Sequence, residues 1–278
     1  MRHISKPDLG KSARELFELC AGDFTDVSRR KRLLELSKSV ETDSAHFENK
    51  FPNMLTGLLT QDPMENGVTN NEIVKIYNQK FAKQNSIGRQ YYDAIMALPP
   101  LGICPICGVR VISTLDHYLP KTKYSTLVVS PNNLIPVCRD CNTDKSDYYF
   151  SKTSASPLHP YFDDIDDIQW LIAIPKENRT VAFEVQASEL CDQVLNKRVA
   201  NNFKLYKLGP LYSKKAAQVI ADEIGYWDKM SKKKRGIRNL KEYFQSRLES
   251  VELNRSSFWQ VAFFKGLIEH IDIVAQWL

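Results

Sequence analysis

The sequence of 278 residues has no apolar run long enough to cross a bilayer, which argues against a helical membrane span. Its opening, Met1-Arg2-His3-Ile4-Ser5-Lys6-Pro7, lacks the apolar core of a secretory signal, so a cytoplasmic location is expected. There is no internal repeat and no low-complexity tract, which leaves an ordinary globular composition with ample length to bury a core. Charge of one sign is scarcely in excess, with 38 Lys and Arg against 33 Asp and Glu. The resulting +5 fits a polyanionic partner without requiring one. No familiar DNA-reading motif is present. Cysteine is sparse, six in all, and a reducing compartment makes disulfides unexpected.

Four of the six cysteines form a pattern. Cys104-Pro105-Ile106-Cys107 and Cys138-Arg139-Asp140-Cys141 are two pairs, each with its cysteines two residues apart. Such a pair sits on a tight knuckle turn with both sulfurs facing one ion, and two knuckles supply the four thiolates of a closed zinc site. Four ligands leave no open position for water, so this zinc is structural. Cys20 and Cys191 lie in helix-like patterns and read as small buried residues.

Between the knuckles lie Asp116-His117-Tyr118-Leu119-Pro120-Lys121 and Asn132-Asn133-Leu134, and Asn142 and Lys145 follow the second knuckle. Together these residues resemble the HNH endonuclease superfamily, the ββα-metal nucleases, in its four-cysteine subgroup, over residues 101 to 161. The resemblance implies that Asp116 and Asn142 hold a catalytic metal ion and that His117 is the general base. Asn133 then bonds across the loop to hold His117 in register, with neighbouring Asn132 as the rival. An amide at position 142, where the family name has its third histidine, favours Mg²⁺ or Mn²⁺ over softer ions. Lys121 and Lys145 are candidate nucleic-acid contacts, with a solvated surface position the alternative for Lys145. The chemistry is coherent. Phosphodiester hydrolysis needs an activated water, charge neutralisation and a stabilised leaving alkoxide, and one hard cation beside a neutral imidazole meets all three.

Other features leave alternatives open. His159, in Leu158-His159-Pro160-Tyr161, is a supporting or substrate-contacting group or a packed turn histidine. Asp163 to Asp167 is a second metal site or a solvated acidic loop. Arg29-Arg30-Lys31-Arg32 and Lys232-Lys233-Lys234-Arg235 either track a phosphate backbone or form solvated helix faces. The aromatic last helix, 256 to 277, is core or a partner surface.

The expected fold class is α+β: a small zinc-stapled core at 100–165 between helical regions at 1–99 and 166–278. Helices are expected over 29–40, 45–59, 73–83 and 91–98, with a break at Gln61 to Gly67, Asn70 or Asn71 as a cap, and Pro99-Pro100 as a stop. A hairpin is expected around Lys176 to Arg179, then helices over 187–206, 213–229 and 234–250. The functional expectation is a metal-dependent HNH endonuclease acting on DNA, with RNA a further candidate substrate. The helical flanks and the late Leu-His-Pro-Tyr-Phe-Asp stretch also resemble HNH subunits of bacterial antiphage systems of the Septu type, including retron-linked ones. That resemblance implies an ATPase partner. The alternatives are a non-catalytic zinc-stapled nucleic-acid-binding or assembly module, and a homing or restriction-type nuclease.

Overall fold

In the computed structural model, which describes residues 1–53, 67–253 and 257–278, the chain is α+β. It divides into two units: His3–Ile106 with Arg110–Asp164, and Met1–Arg2 with Cys107–Val109 and Ile165–Leu278.

The first unit begins with α1 (Ala13–Gly22), started by a capping box in which Ser12 and Glu15 satisfy each other's backbone N–H groups. Its buried Leu16, Phe17 and Cys20 form the inward face. One helix was expected over 29–40, but two are found, α2 (Val27–Leu34) and α3 (Ser37–Lys50). The turn tightens between them, where Leu36 N donates to Leu33 O. The helix expected over 45–59 therefore belongs to one that starts at Ser37. Its expected end, and the expected break from Gln61 to Asn66, lie outside the described residues. Thr69, rather than Asn70 or Asn71, caps α4 (Asn70–Ile76), through a second capping box with Glu72. The chain continues as a π-helical turn, Tyr77–Phe81, and α5 (Arg89–Met96) ends just before Pro99-Pro100.

These helices share one apolar core with the residues that follow. Leu16, Phe17, Ile73, Ile76, Phe81 and Ile95 cluster with Leu115, Val128, Val129 and Leu134. Strands β1 (Thr114–His117) and β2 (Leu134–Val137) pair antiparallel, with Asp116 opposite Ile135 and His117 opposite Leu134. Helix α6 (Arg139–Lys145) follows at once, giving the order β-β-α. The three arginines of the α2 basic run make contacts within the unit while staying partly exposed. Arg29 lies over the Phe24 ring and donates to Glu72 O, Arg30 donates to Phe24 O, and Arg32 pairs with Glu72 at 3.2 Å.

In the second unit, β3 (Leu171–Pro175) and β4 (Val181–Val185) form the expected hairpin, Leu171 opposite Val185. Helix α7 (Gln193–Leu205) starts later than expected, because the Asn196 side chain ties up Ser188 N, Ser188 O and Cys191 O outside any helix. Helices α8 (Leu208–Ser231) and α9 (Gly236–Leu253) are joined by hydrogen bonds from Tyr243 and Arg247 to the Glu223 carboxylate. The last helix breaks at His270 into α10 (Phe258–Glu269) and α11 (Ile271–Ala275). Its Trp259, Phe263 and Phe264 are core residues. Gly266 lets α10 lie on β3, since a Cβ there would overlap the Ala173 carbonyl. Among the described residues no helix is long and apolar enough to cross a membrane.

Candidate active site

The two cysteine pairs fold as their spacing requires. The sulfurs of Cys104, Cys107, Cys138 and Cys141 lie within 4.8 Å of one another, and all four residues are buried. The first knuckle is closed by Cys104 N donating to Arg110 O at 2.8 Å and by the bridge of Ile103 with Val111. Gly108 turns the chain with φ +64°, and a Cβ there would stand 2.6 Å from the Phe258 ring. At the second knuckle Cys138 is also the N-cap of α6, its sulfur accepting from Cys141 N at 3.4 Å. Four clustered thiols with no other donor type form a set that could hold zinc. Among the described residues it is the only group of His, Cys, Asp or Glu side chains gathered closely enough for a metal ion. The acidic stretch is not gathered that way: Asp163 accepts from His159 N at 2.7 Å, while Asp164, Asp166 and Asp167 are exposed.

His117 ends β1 and is 6% exposed. Its Nε2 lies 2.9 Å from Val128 O. A carbonyl only accepts, so Nε2 carries the proton and the neutral ring keeps its lone pair on Nδ1. Burial, with Lys121 and then Lys145 adding positive charge, pushes the imidazole down to about 3, so it is neutral at physiological pH. The Tyr77 ring packs edge-on against it, centroids 4.5 Å apart.

Asn133, fully buried, bonds across the loop after β1. Its Oδ1 accepts from Leu119 N at 2.8 Å, and its Nδ2 donates to Leu119 O and Leu127 O, each at 3.2 Å. Its own carbonyl accepts from Tyr118 N at 2.8 Å. Leu127 immediately precedes Val128, so these bonds fix the carbonyl that anchors His117. The neighbouring Asn132 does none of this, and its buried Oδ1 has no hydrogen-bond partner among the described residues. Asn132 O does accept from Nε2 of His159 at 2.9 Å. Nδ1 of His159 accepts from Tyr161 N, and its ring is enclosed by Phe47, Phe51, Tyr118 and Phe162. His159 is a packed turn histidine.

Lys145 is neither solvated nor at the surface. Its Nζ lies 3.0 Å and 3.2 Å from the two Asp116 carboxylate oxygens and donates to His117 O at 2.6 Å. Asp116 is buried beside it, and burial raises its carboxyl above the usual range against the pull of Lys145. Asn142 is half-buried, three residues before Lys145 and hence on the same face of α6. Lys121 is half-buried, its Nζ 3.3 Å from Asn78 Oδ1 and over the Tyr77 ring; burial lowers its pKa while Asp147 and Asp116 oppose this. The part played by the π-turn, through Tyr77 and Asn78, was not anticipated. Tyr77 continues the buried face of α4 in sequence, and nothing in that pattern points toward His117.

Two antiparallel strands, a helix and a four-cysteine cluster at the helix start define a ββα core with a set of thiols that could hold zinc. Residues 104–148 match the family model described as HNH endonuclease, which together with the four-cysteine cluster supports the HNH superfamily for this segment. Protein ea31 of Escherichia phage lambda is 28% identical over 195 residues, which cover 67% of this chain. The chain spans 65% of the length of that curated relative. No solved structure matches the chain.

Proposed function

We propose that the protein is a metal-dependent endonuclease that hydrolyses DNA phosphodiester bonds, with the HNH segment as its catalytic core. The observation that carries this reading is the anchored imidazole: Nε2–H of His117 is held by Val128 O, leaving the Nδ1 lone pair as the acceptor on a ring that stays neutral. Asp116 and Asn142 are the oxygen donors for a catalytic Mg²⁺ or Mn²⁺, and the four cysteines hold a structural Zn²⁺. The donor chemistry fits a hard cation, because the buried Asp116 carboxylate already holds one, the Lys145 ammonium. A bound divalent ion supplies charge neutralisation on the phosphoryl oxygens and the leaving alkoxide. His117 takes the proton of the attacking water, Asn133 fixes the loop that holds His117, and Lys121 is the candidate phosphate contact. Lys145 steadies the end of β1 through His117 O.

The biological setting we favour is antiphage defence beside an ATPase partner, on the resemblance to Septu-type nuclease subunits. Recovery of such an ATPase with the protein from its host tests that part. The core proposal is tested by plasmid nicking with Mg²⁺ or Mn²⁺, wild type beside His117→Ala, with zinc content measured on both. Nicking should fall by about 10²–10⁴-fold with zinc retained. Equal nicking by both proteins refutes the assignment.

A further inference from the structure

The Asp116–Lys145 pair is buried in the candidate site and engages the carboxylate proposed above as a metal ligand. Its side chains are 9% and 1% exposed, and the ammonium straddles both carboxylate oxygens rather than meeting one of them. Its third acceptor is His117 O, the backbone of the general base itself. A carboxylate that binds a small hard cation places an oxygen against the ion at about 2.0–2.1 Å. Here both oxygens are already engaged by a cation. A second positive group, Lys121, acts on the same carboxylate, and Tyr77 of the π-turn packs edge-on against the adjoining His117 ring. Two cations a few ångströms apart in a buried site repel far more strongly than they would in water.

We propose that the Lys145 ammonium is the resident cation of Asp116, and that a divalent ion loads only by displacing it. Metal loading and movement of Lys145 are then one event. The carboxylate stays neutralised until that event, so the buried site is never left with an unpaired charge. Because Lys145 also holds His117 O, the arrival of the ion is felt at the strand end carrying the general base. The inference rests on the metal assignment made above, since it takes Asp116 as the ligand.

The test is Mn²⁺ binding to the full-length, zinc-loaded protein, read from the electron paramagnetic resonance of free aqueous Mn²⁺. Wild type, Lys145→Gln and Asp116→Asn are compared. Glutamine keeps a donor for His117 O but removes the competing charge, so Lys145→Gln should bind Mn²⁺ at least about tenfold more tightly. Asp116→Asn should lose the site. Equal or weaker binding by Lys145→Gln overturns the displacement while leaving Asp116 as a ligand. Binding that survives Asp116→Asn puts the ion elsewhere and removes the metal assignment itself. No binding that depends on Asp116, in either wild type or Lys145→Gln, overturns both. If Lys145→Gln loses zinc or cooperative unfolding, the wild type decides. Its enclosed ammonium should give a slowly exchanging ¹⁵N resonance that shifts or disappears as Mg²⁺ is added. An unchanged resonance at saturating Mg²⁺ overturns the inference.

Discussion

Two adjacent asparagines with the same chemistry should differ sharply in what they cost to remove. Asn133 is fully buried and makes three side-chain hydrogen bonds, two to Leu119 and one to Leu127. Each neutral bond is worth about 1 kcal/mol net, and a buried partner left unpaired adds about 1–3 kcal/mol. Asn133→Ala removes all three bonds and strands Leu119 N–H and Leu119 O, while Leu127 O still accepts from Ser130 N, so about 3–5 kcal/mol should be lost. Against a domain stability of about 5–15 kcal/mol, that is a large fraction. Asn132 has a buried Oδ1 without a partner among the described residues. Its replacement by alanine should cost under about 1 kcal/mol. Urea denaturation of zinc-loaded protein, followed by circular dichroism, measures both. Where Asn133→Ala remains folded, nicking should also fall, because Leu127 positions the carbonyl that holds His117. A loss below about 1 kcal/mol for Asn133→Ala would refute the stapling argument. So would an equal loss for Asn132→Ala.

Two further predictions concern the metal and the acid–base balance. Stripping the structural ion with a thiol-competitive chelator should unfold the β1–β2–α6 core, seen as a lowered denaturation midpoint and lost nicking. An unchanged midpoint after verified zinc removal would contradict it. Burial raises the Asp43 carboxyl, while the Thr126 hydroxyl, donating at 2.6 Å, and His46 oppose the shift. A raised carboxyl contributes stability that is fully present below its unfolded value of about 3.9 and lost as pH rises through the folded value. Asp43→Asn should therefore raise Tm at pH 7, with the gain shrinking away below about pH 4. A gain independent of pH would show that charge is not the cause.

The parts of the site that were legible in the sequence were those written at fixed short spacing. Knuckle cysteines two residues apart, an Asp-His pair and an Asn-Leu before the second knuckle each define their local geometry. The hairpin at 171–185 and the stop at Pro99-Pro100 were legible for the same reason. Helix boundaries were less so, because side chains competed for the backbone at points that apolar periodicity does not mark. Asn196 delayed α7 in this way, and a Thr69–Glu72 capping box took the place of the asparagines. The burial of Lys145 was missed for a related reason, since the expectation was a nucleic-acid contact or a solvated surface position. A lysine one turn after Asn142 gives no sign of burial until the facing strand is known to present a buried carboxylate. The packing of Tyr77 on His117 joins residues far apart in sequence, and no local pattern encodes such a contact.

Cys138 is at once a zinc thiolate candidate and the cap on which α6 begins. The helix carrying Asn142 and Lys145 therefore starts on an atom whose state is set by redox chemistry. An oxidant that captures that sulfur removes an ion ligand and a helix cap in one stroke, and the groups of α6 lose their footing together.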